Sequence, residues 1–201
     1  RIIDRPIRPL FPKGLINDCV ISAMVVSSDG KIDPGPHAIT AASAACIVAG
    51  YPISSPLAGV CIGMMNGEFI VNPNYDQIKQ GDLYLTVAGT SQAVTMVESG
   101  SKEVSNEKMI EAITLAHQEI KKLCALQEDL RKTAGKTFHK ELVFYLPDET
   151  LKKELQGKIK IEDLDGLYKP LKHEVYDALG ALTKKIVEEH KDKIESEEEG
   201  K

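Results

Sequence analysis

Three features of the 201-residue sequence predict an α/β fold, a mixed sheet with packed helices, followed by an all-α region. Charge divides the chain: residues 1–100 hold 14 Lys, Arg, Asp and Glu, against 41 in residues 101–201. Apolar runs rich in β-branched residues, separated by Gly and Pro, crowd the first half, as expected of strands. Apolar residues spaced at the helical period mark the second half. The boundary follows at residue 134, with 1–134 as the α/β part and 135–201 as the helical part.

The chain opens on RIIDRPIRPLFPKG, three arginines within eight positions. Beyond it, CVISAMVVSS (19–28), AGVCIGMM (58–65), EFIVNP (68–73), LYLTVAG (83–89) and AVTMVES (93–99) read as strands. Asn66-Gly67 between the second and third of these predicts a type I′ hairpin turn, which needs positive φ at both positions. HAITAASAACIVAG (37–50) is small and Ala-rich, which fits a buried helix stopped by Gly50 ahead of Tyr51-Pro52. Ser105 or Asn106 starts a long helix whose stripe is Met109, Ile113, Ile120 and Leu123, and which ends near Ala134-Gly135. Residues 136–147 read as a linker, and Asp148 caps a short helix over 149–156. A last helix spans about Pro170 to His190 with Val175, Leu179, Leu182 and Ile186 on one face. The tail EEHKDKIESEEEGK is too polar to bury a face of its own and reads as frayed or solvated helix.

A net charge of −5 offers no global attraction to nucleic acid, so any RNA contact must come from a local patch. The four cysteines lack CxxC or zinc-ligand spacing and read as reduced structural thiols of a cytoplasmic protein. No apolar run approaches a bilayer span and nothing resembles a signal peptide. The missing initiator methionine gives the expectation of a chain cut from something longer.

Candidate chemistry concentrates at the opening strip. On a helix, Arg1, Arg5 and Arg8 stand at i, i+4 and i+7, and guanidinium forks suit phosphate oxygens. A surface strip paired with Asp4 and Asp18 stands beside that reading. SSDGKIDPG (27–35) has a phosphate loop's composition without its spacing, and Asp29 and Asp33 would repel an anion. Asp76 and Asp82 flank a strand without a nearby third metal ligand. His37 and His117 read as structural, and no nucleophilic triad stands out.

Taken together, RIIDRPIRPLFPKG, the stretch IDPGPHAITAASAACIVAG through FIVNP, and LYLTVAGTSQAVTMVES resemble the first core domain of bacterial-type polynucleotide phosphorylases. The helical half resembles that family's all-helical linker domain. The resemblance implies an N-terminally truncated RNase PH-like core followed by part or all of that linker. It also implies a parent enzyme that forms a homotrimeric ring, with a second core and KH and oligonucleotide-binding domains. That enzyme degrades RNA from single-stranded 3′ ends, with inorganic phosphate as co-substrate and Mg2+ or Mn2+ as cofactor, and the reaction is reversible. By motif match, Arg1, Arg5 and Arg8 contact RNA.

The phosphate-binding serine loop and the catalytic Asp and Lys belong to the family's second core. Here Ile32-Asp33-Pro34-Gly35 stands at the loop position, with Tyr84 and Thr86 at the acid and base positions. No catalytic residue and no metal ligand are therefore expected in this chain. A non-catalytic RNA-binding or scaffold subunit of an exosome-like ring is the alternative.

Overall fold

The computed structural model describes residues 1–137 and 141–191; residues 138–140 of the expected linker and 192–201 of the polar tail lie outside them. Two compact units divide the chain, the first Arg1–Tyr145 and the second beginning at Leu146.

In the first unit, β1 (Ala58–Met65), β2 (Glu68–Val71), β3 (Leu83–Gly89) and β4 (Val94–Ser101) form one sheet in the order β2-β1-β3-β4. Asn66 and Gly67 close the first hairpin at φ 52° and 80°, the type I′ geometry their side chains permit. Every pairing is antiparallel, which corrects the mixed sheet expected from sequence. The run 19–28, expected as a strand, forms none and has no ladder partner among the described residues. Val20, Met24 and Val26 are 86–90% exposed along it. Its β-branched residues suit a pleated surface, but propensity cannot supply a neighbouring strand.

Because side chains alternate along a strand, Val60, Ile62, Leu83, Leu85 and Val87 face one side. They pack on α4 (Asn106–Ala134), whose buried centre is Ala112, Ala116, Ile120 and Cys124. Ser105 caps that helix by accepting the Lys108 amide, as the sequence predicts. Of the expected stripe, only Ile120 lies at the centre; Met109, Ile113 and Leu123 flank it half-buried. The alanines take the centre because a small side chain lets the helix backbone approach branched residues of the sheet.

The other face of β1 meets α2 (Pro34–Ala49). A Cβ on Gly59 would come within 2.7 Å of the Pro36 carbonyl oxygen and 2.8 Å of Ile39 Cδ1, so backbone packs on backbone there. Two α2 hydroxyls accept strand-side amides, Thr40 from Gly59 and Ser43 from Leu57. Gly50 ends the helix at φ 77°. Residues 72–75 then tie the loop ahead of α2 to the sheet. Asn72 Oδ1 accepts the Cys61 amide, and Asn74 caps the unforeseen helix α3 (Tyr75–Gln80) and bridges Ile32. The expected linker is partly docked: Leu15 bridges Phe144, and Asn17 holds the Glu141 carbonyl and the Val143 amide.

The second unit holds α5 (Glu149–Lys158), capped by Asp148, then α6 (Ile161–Asp165) and α7 (Lys172–Glu189). Leu155 and Ile159 meet Leu182, Ile186 and the buried His190 around a cavity of about 70 Å³. Leu179, expected on that face, is 43% exposed. No helix among the described residues is long and apolar enough to cross a membrane.

Ile120→Ala should lower stability by about 2–5 kcal/mol, since Ile120 is fully buried between helix and sheet. Urea unfolding with an unchanged m-value is the measurement that checks it.

Candidate nucleic-acid interface

The opening strip folds as a short helix, α1 (Asp4–Ile7), running into a single 3-10 turn at Arg8–Leu10. Pro6 sits within the first turn, where its missing N–H costs nothing. Pro6 and Ile7 are buried, and Ile7 joins Ile39, Ala42, Cys46 and Ile47 of α2 in one cluster. The strip is therefore fastened by its apolar side, and Arg1, Arg5 and Arg8 are left exposed.

Their arrangement departs from the expected three-arginine helical face. Arg1 precedes the helix, its carbonyl accepting the Arg5 amide at 3.2 Å. Arg8 turns back on Asp4, with Nε 3.1 Å from Oδ1 and Nη2 2.7 and 2.8 Å from the two oxygens. Such an exposed pair contributes roughly 0–1 kcal/mol, so a phosphate can compete for the fork. Arg1 and Arg5 make no ion pair or side-chain hydrogen bond among the described residues. Asp18 takes no part in the strip's ion pairs.

Beside the strip lies the start of α2; a Cβ on Gly35 would meet Ile2 Cδ1 at 2.8 Å. A free helix N-terminus attracts anions through its unpaired amides. This one has little left to offer, because Pro34 and Pro36 carry no N–H and the Gly35 amide donates to Asp33 Oδ1 at 2.9 Å. The second Asp33 oxygen accepts the Tyr84 hydroxyl from β3.

The fold thus brings together the two positions that the resemblance pairs with a phosphate loop and a catalytic strand, and it joins them to each other. Burial, with Asp33 second, pushes the Tyr84 hydroxyl up to about 12. Burial likewise raises the Cys61 thiol, beside Thr86 on the neighbouring strand, to about 11. The Asp33–Tyr84 link was missed from sequence, although Asp before Pro-Gly-Pro is a legible N-cap signal.

Other candidates fall elsewhere. Asp76 lies in α3 rather than beside a strand, and Asp82 enters β3 with its amide on the Met64 carbonyl. His37 is exposed at the start of α2, its Nδ1 3.4 Å from the Asp33 carbonyl. His117, expected on a charged face, is half-buried with Nε2 3.0 Å from the Thr90 carbonyl at the β3–β4 turn. Among the described residues no group of three or more His, Cys, Asp or Glu is placed to hold a metal ion. The divalent metal implied by the resemblance therefore finds no fitting ligand set there.

Residues 55–119, from just before β1 into α4, match the RNase PH C-terminal family, described as "3' exoribonuclease family, domain 2". The class is thus an RNase PH-like α/β core with a helical extension. Curated relatives narrow it, each named polyribonucleotide nucleotidyltransferase. That of Persephonella marina is 49% identical over 162 residues, 80% of this chain and 22% of the relative. The Bacillus pumilus protein is 39% identical over 197 residues, 98% of this chain and 28% of its own length. The chain belongs to the polyribonucleotide nucleotidyltransferase family, and it spans about a fifth to somewhat over a quarter of those relatives' length. A rice (Oryza sativa) Rrp46 crystal structure aligns at 18% identity and a TM-score of 0.41, covering 52% of this chain and 47% of that one.

Tyr84 is neutral in the fold and its pKa there, about 12, exceeds its ordinary 10. Its contribution is therefore complete below pH 10 and fades as pH rises toward 12. Tyr84→Phe should cost roughly 1 kcal/mol at pH 8 and flatten the alkaline decline, read by urea unfolding at pH 8 and above pH 10.

Proposed function

We propose that this chain is the first RNase PH-like core and adjoining helical region of a phosphate-dependent 3′-to-5′ exoribonuclease. In that reaction an oxygen of inorganic phosphate attacks the terminal phosphodiester phosphorus. The bond to the preceding 3′ oxygen breaks, releasing a nucleoside diphosphate and an RNA shortened by one residue. The role of this segment is to hold RNA and to build the ring of a cytoplasmic homotrimer; the chemical step belongs to residues outside it.

The observation that carries this reading is the opening strip: arginines exposed on a short helix whose other side is locked into the core. Arg1 and Arg5 meet the phosphodiester backbone directly, and Arg8 does so by exchanging Asp4 for a phosphate. The occupied start of α2 supports a non-catalytic role, since Asp33 stands where an anion would sit.

Fluorescence anisotropy with a single-stranded RNA oligomer at low salt tests the reading on the purified chain. Arg1→Ala and Arg5→Ala should each weaken binding several-fold and lower the salt slope by about 0.7, one phosphate contact apiece. Arg8→Ala should have a smaller effect. Incubation with phosphate and RNA should release no nucleoside diphosphate. Unchanged binding in all three variants would refute the RNA assignment, and diphosphate release would refute the non-catalytic one.

A further inference from the structure

A second basic feature lies at the other end of α2. Tyr51, Arg131, Gly135, Lys136 and Thr137 line a cavity of about 360 Å³ between the ends of α2 and α4. Among the described residues no carboxylate lines it. Basic residues at helix ends commonly offset the negative end of the helix dipole, and Arg131, in the last turn of α4, fits that use. Lys136 lies beyond that helix, where its amide donates to the Val48 carbonyl of α2.

The terminal carbonyls here are met by main-chain amides. Gly50 donates to Ile47, Tyr51 to Cys46, Gly135 to Arg131 and Lys136 to Val48, at 2.9–3.1 Å. The charged head groups are left over. Among the described residues Arg131 pairs with Glu128 alone, at 3.5 Å with both side chains about 40% exposed, a weak pair. Lys136 makes no ion pair or side-chain hydrogen bond among the described residues. Among the described residues, then, two cations border one cavity, one loosely paired and one unpaired, with no acid in its lining.

The cavity also adjoins the opening strip. Tyr51 meets the Phe11 ring edge-on at 6.3 Å, and the Leu10 carbonyl accepts the Ser54 amide at 2.9 Å. Half-buried aromatic rings between basic groups are the usual fittings of a single-strand track, where bases stack and phosphates meet cations.

We propose that this cavity is a phosphate-binding subsite, taking a phosphodiester of single-stranded RNA that runs on from the arginine strip past Phe11 and Tyr51. The ligand assignment rests on the RNA-holding role proposed above. Arg131 presents a guanidinium fork to two phosphate oxygens, and Lys136 supplies a point charge.

Two measurements on the purified chain test it. In the first, inorganic phosphate is titrated while backbone amide NMR follows Gly50, Gly135 and Lys136. Shifts at these amides are expected, lost in Arg131→Gln/Lys136→Gln and kept in Lys136→Arg. In the second, RNA oligomers of four and twelve nucleotides are bound across a salt series. The double variant should weaken the longer oligomer and lower its salt slope by about 1.4, two contacts at about 0.7 each, with little effect on the shorter. Absence of phosphate shifts would overturn the subsite. Phosphate shifts with unaltered RNA binding would overturn the RNA assignment in favour of free phosphate. Loss of RNA binding only on substitution of Arg1 or Arg5 would overturn the extended track and leave the strip's role standing.

Discussion

Close packing of α2 on β1 at Gly59 governs most of what surrounds it. No side chain fits between that glycine and the Pro36 carbonyl, so the helix sits on the strand backbone. Thr40 and Ser43 then use their hydroxyls to satisfy the strand-side amides that such an approach would otherwise strand in a dry interface. With the helix fixed at that depth, its start falls beside β3 and its end falls beside α4. The arginine strip docks on the same helix through Ile7. Both basic features, the strip and the cavity at Gly50, take their places from this one contact.

The electrostatics of the two ends of α2 differ for a local reason. At the start, two prolines remove amides and Asp33 consumes the one between them, while Tyr84 holds the carboxylate in place. An anion there would meet the Asp33 carboxylate in place of first-turn amides. At the far end, main-chain amides of Gly50, Tyr51 and Lys136 satisfy the carbonyls, and the cationic side chains are spared that duty. The helix thus rejects anions where the dipole would attract them and gathers cations where it would repel anions. Side-chain placement here works against the macrodipole, whose influence falls off within the first and last turns.

Much of the fold was legible because its signals are local. The hairpin at Asn66-Gly67 follows from two residues that tolerate positive φ. The long helix follows from a serine cap, an apolar repeat and a terminal glycine, and α2 from its Ala-rich run stopped by Gly50. The failures were of another kind. Residues 19–28 have strand composition, yet a strand exists only where a neighbour supplies hydrogen bonds. The stripe of α4 was drawn through its largest apolar residues, whereas the sheet selected Ala112 and Ala116 for their small size. Short helices such as α3 and α6 went unseen because one or two turns carry too little periodicity to read.

For the candidate site the division is sharper. By itself the sequence determined the charge contrast between the halves, the main elements, the turn and cap residues, and an arginine-rich opening whose motif marks the family. Each of these depends on residues within a few positions of one another. Tertiary structure alone decided that Arg8 folds back on Asp4 while Arg1 and Arg5 stay open, and that Asp33 meets Tyr84 across 51 positions. It alone set Tyr51 of the α2 end beside Lys136 of the α4 end. A hydrogen bond or a cavity wall between distant residues needs the packed sheet to bring them within reach, and no local pattern encodes that distance.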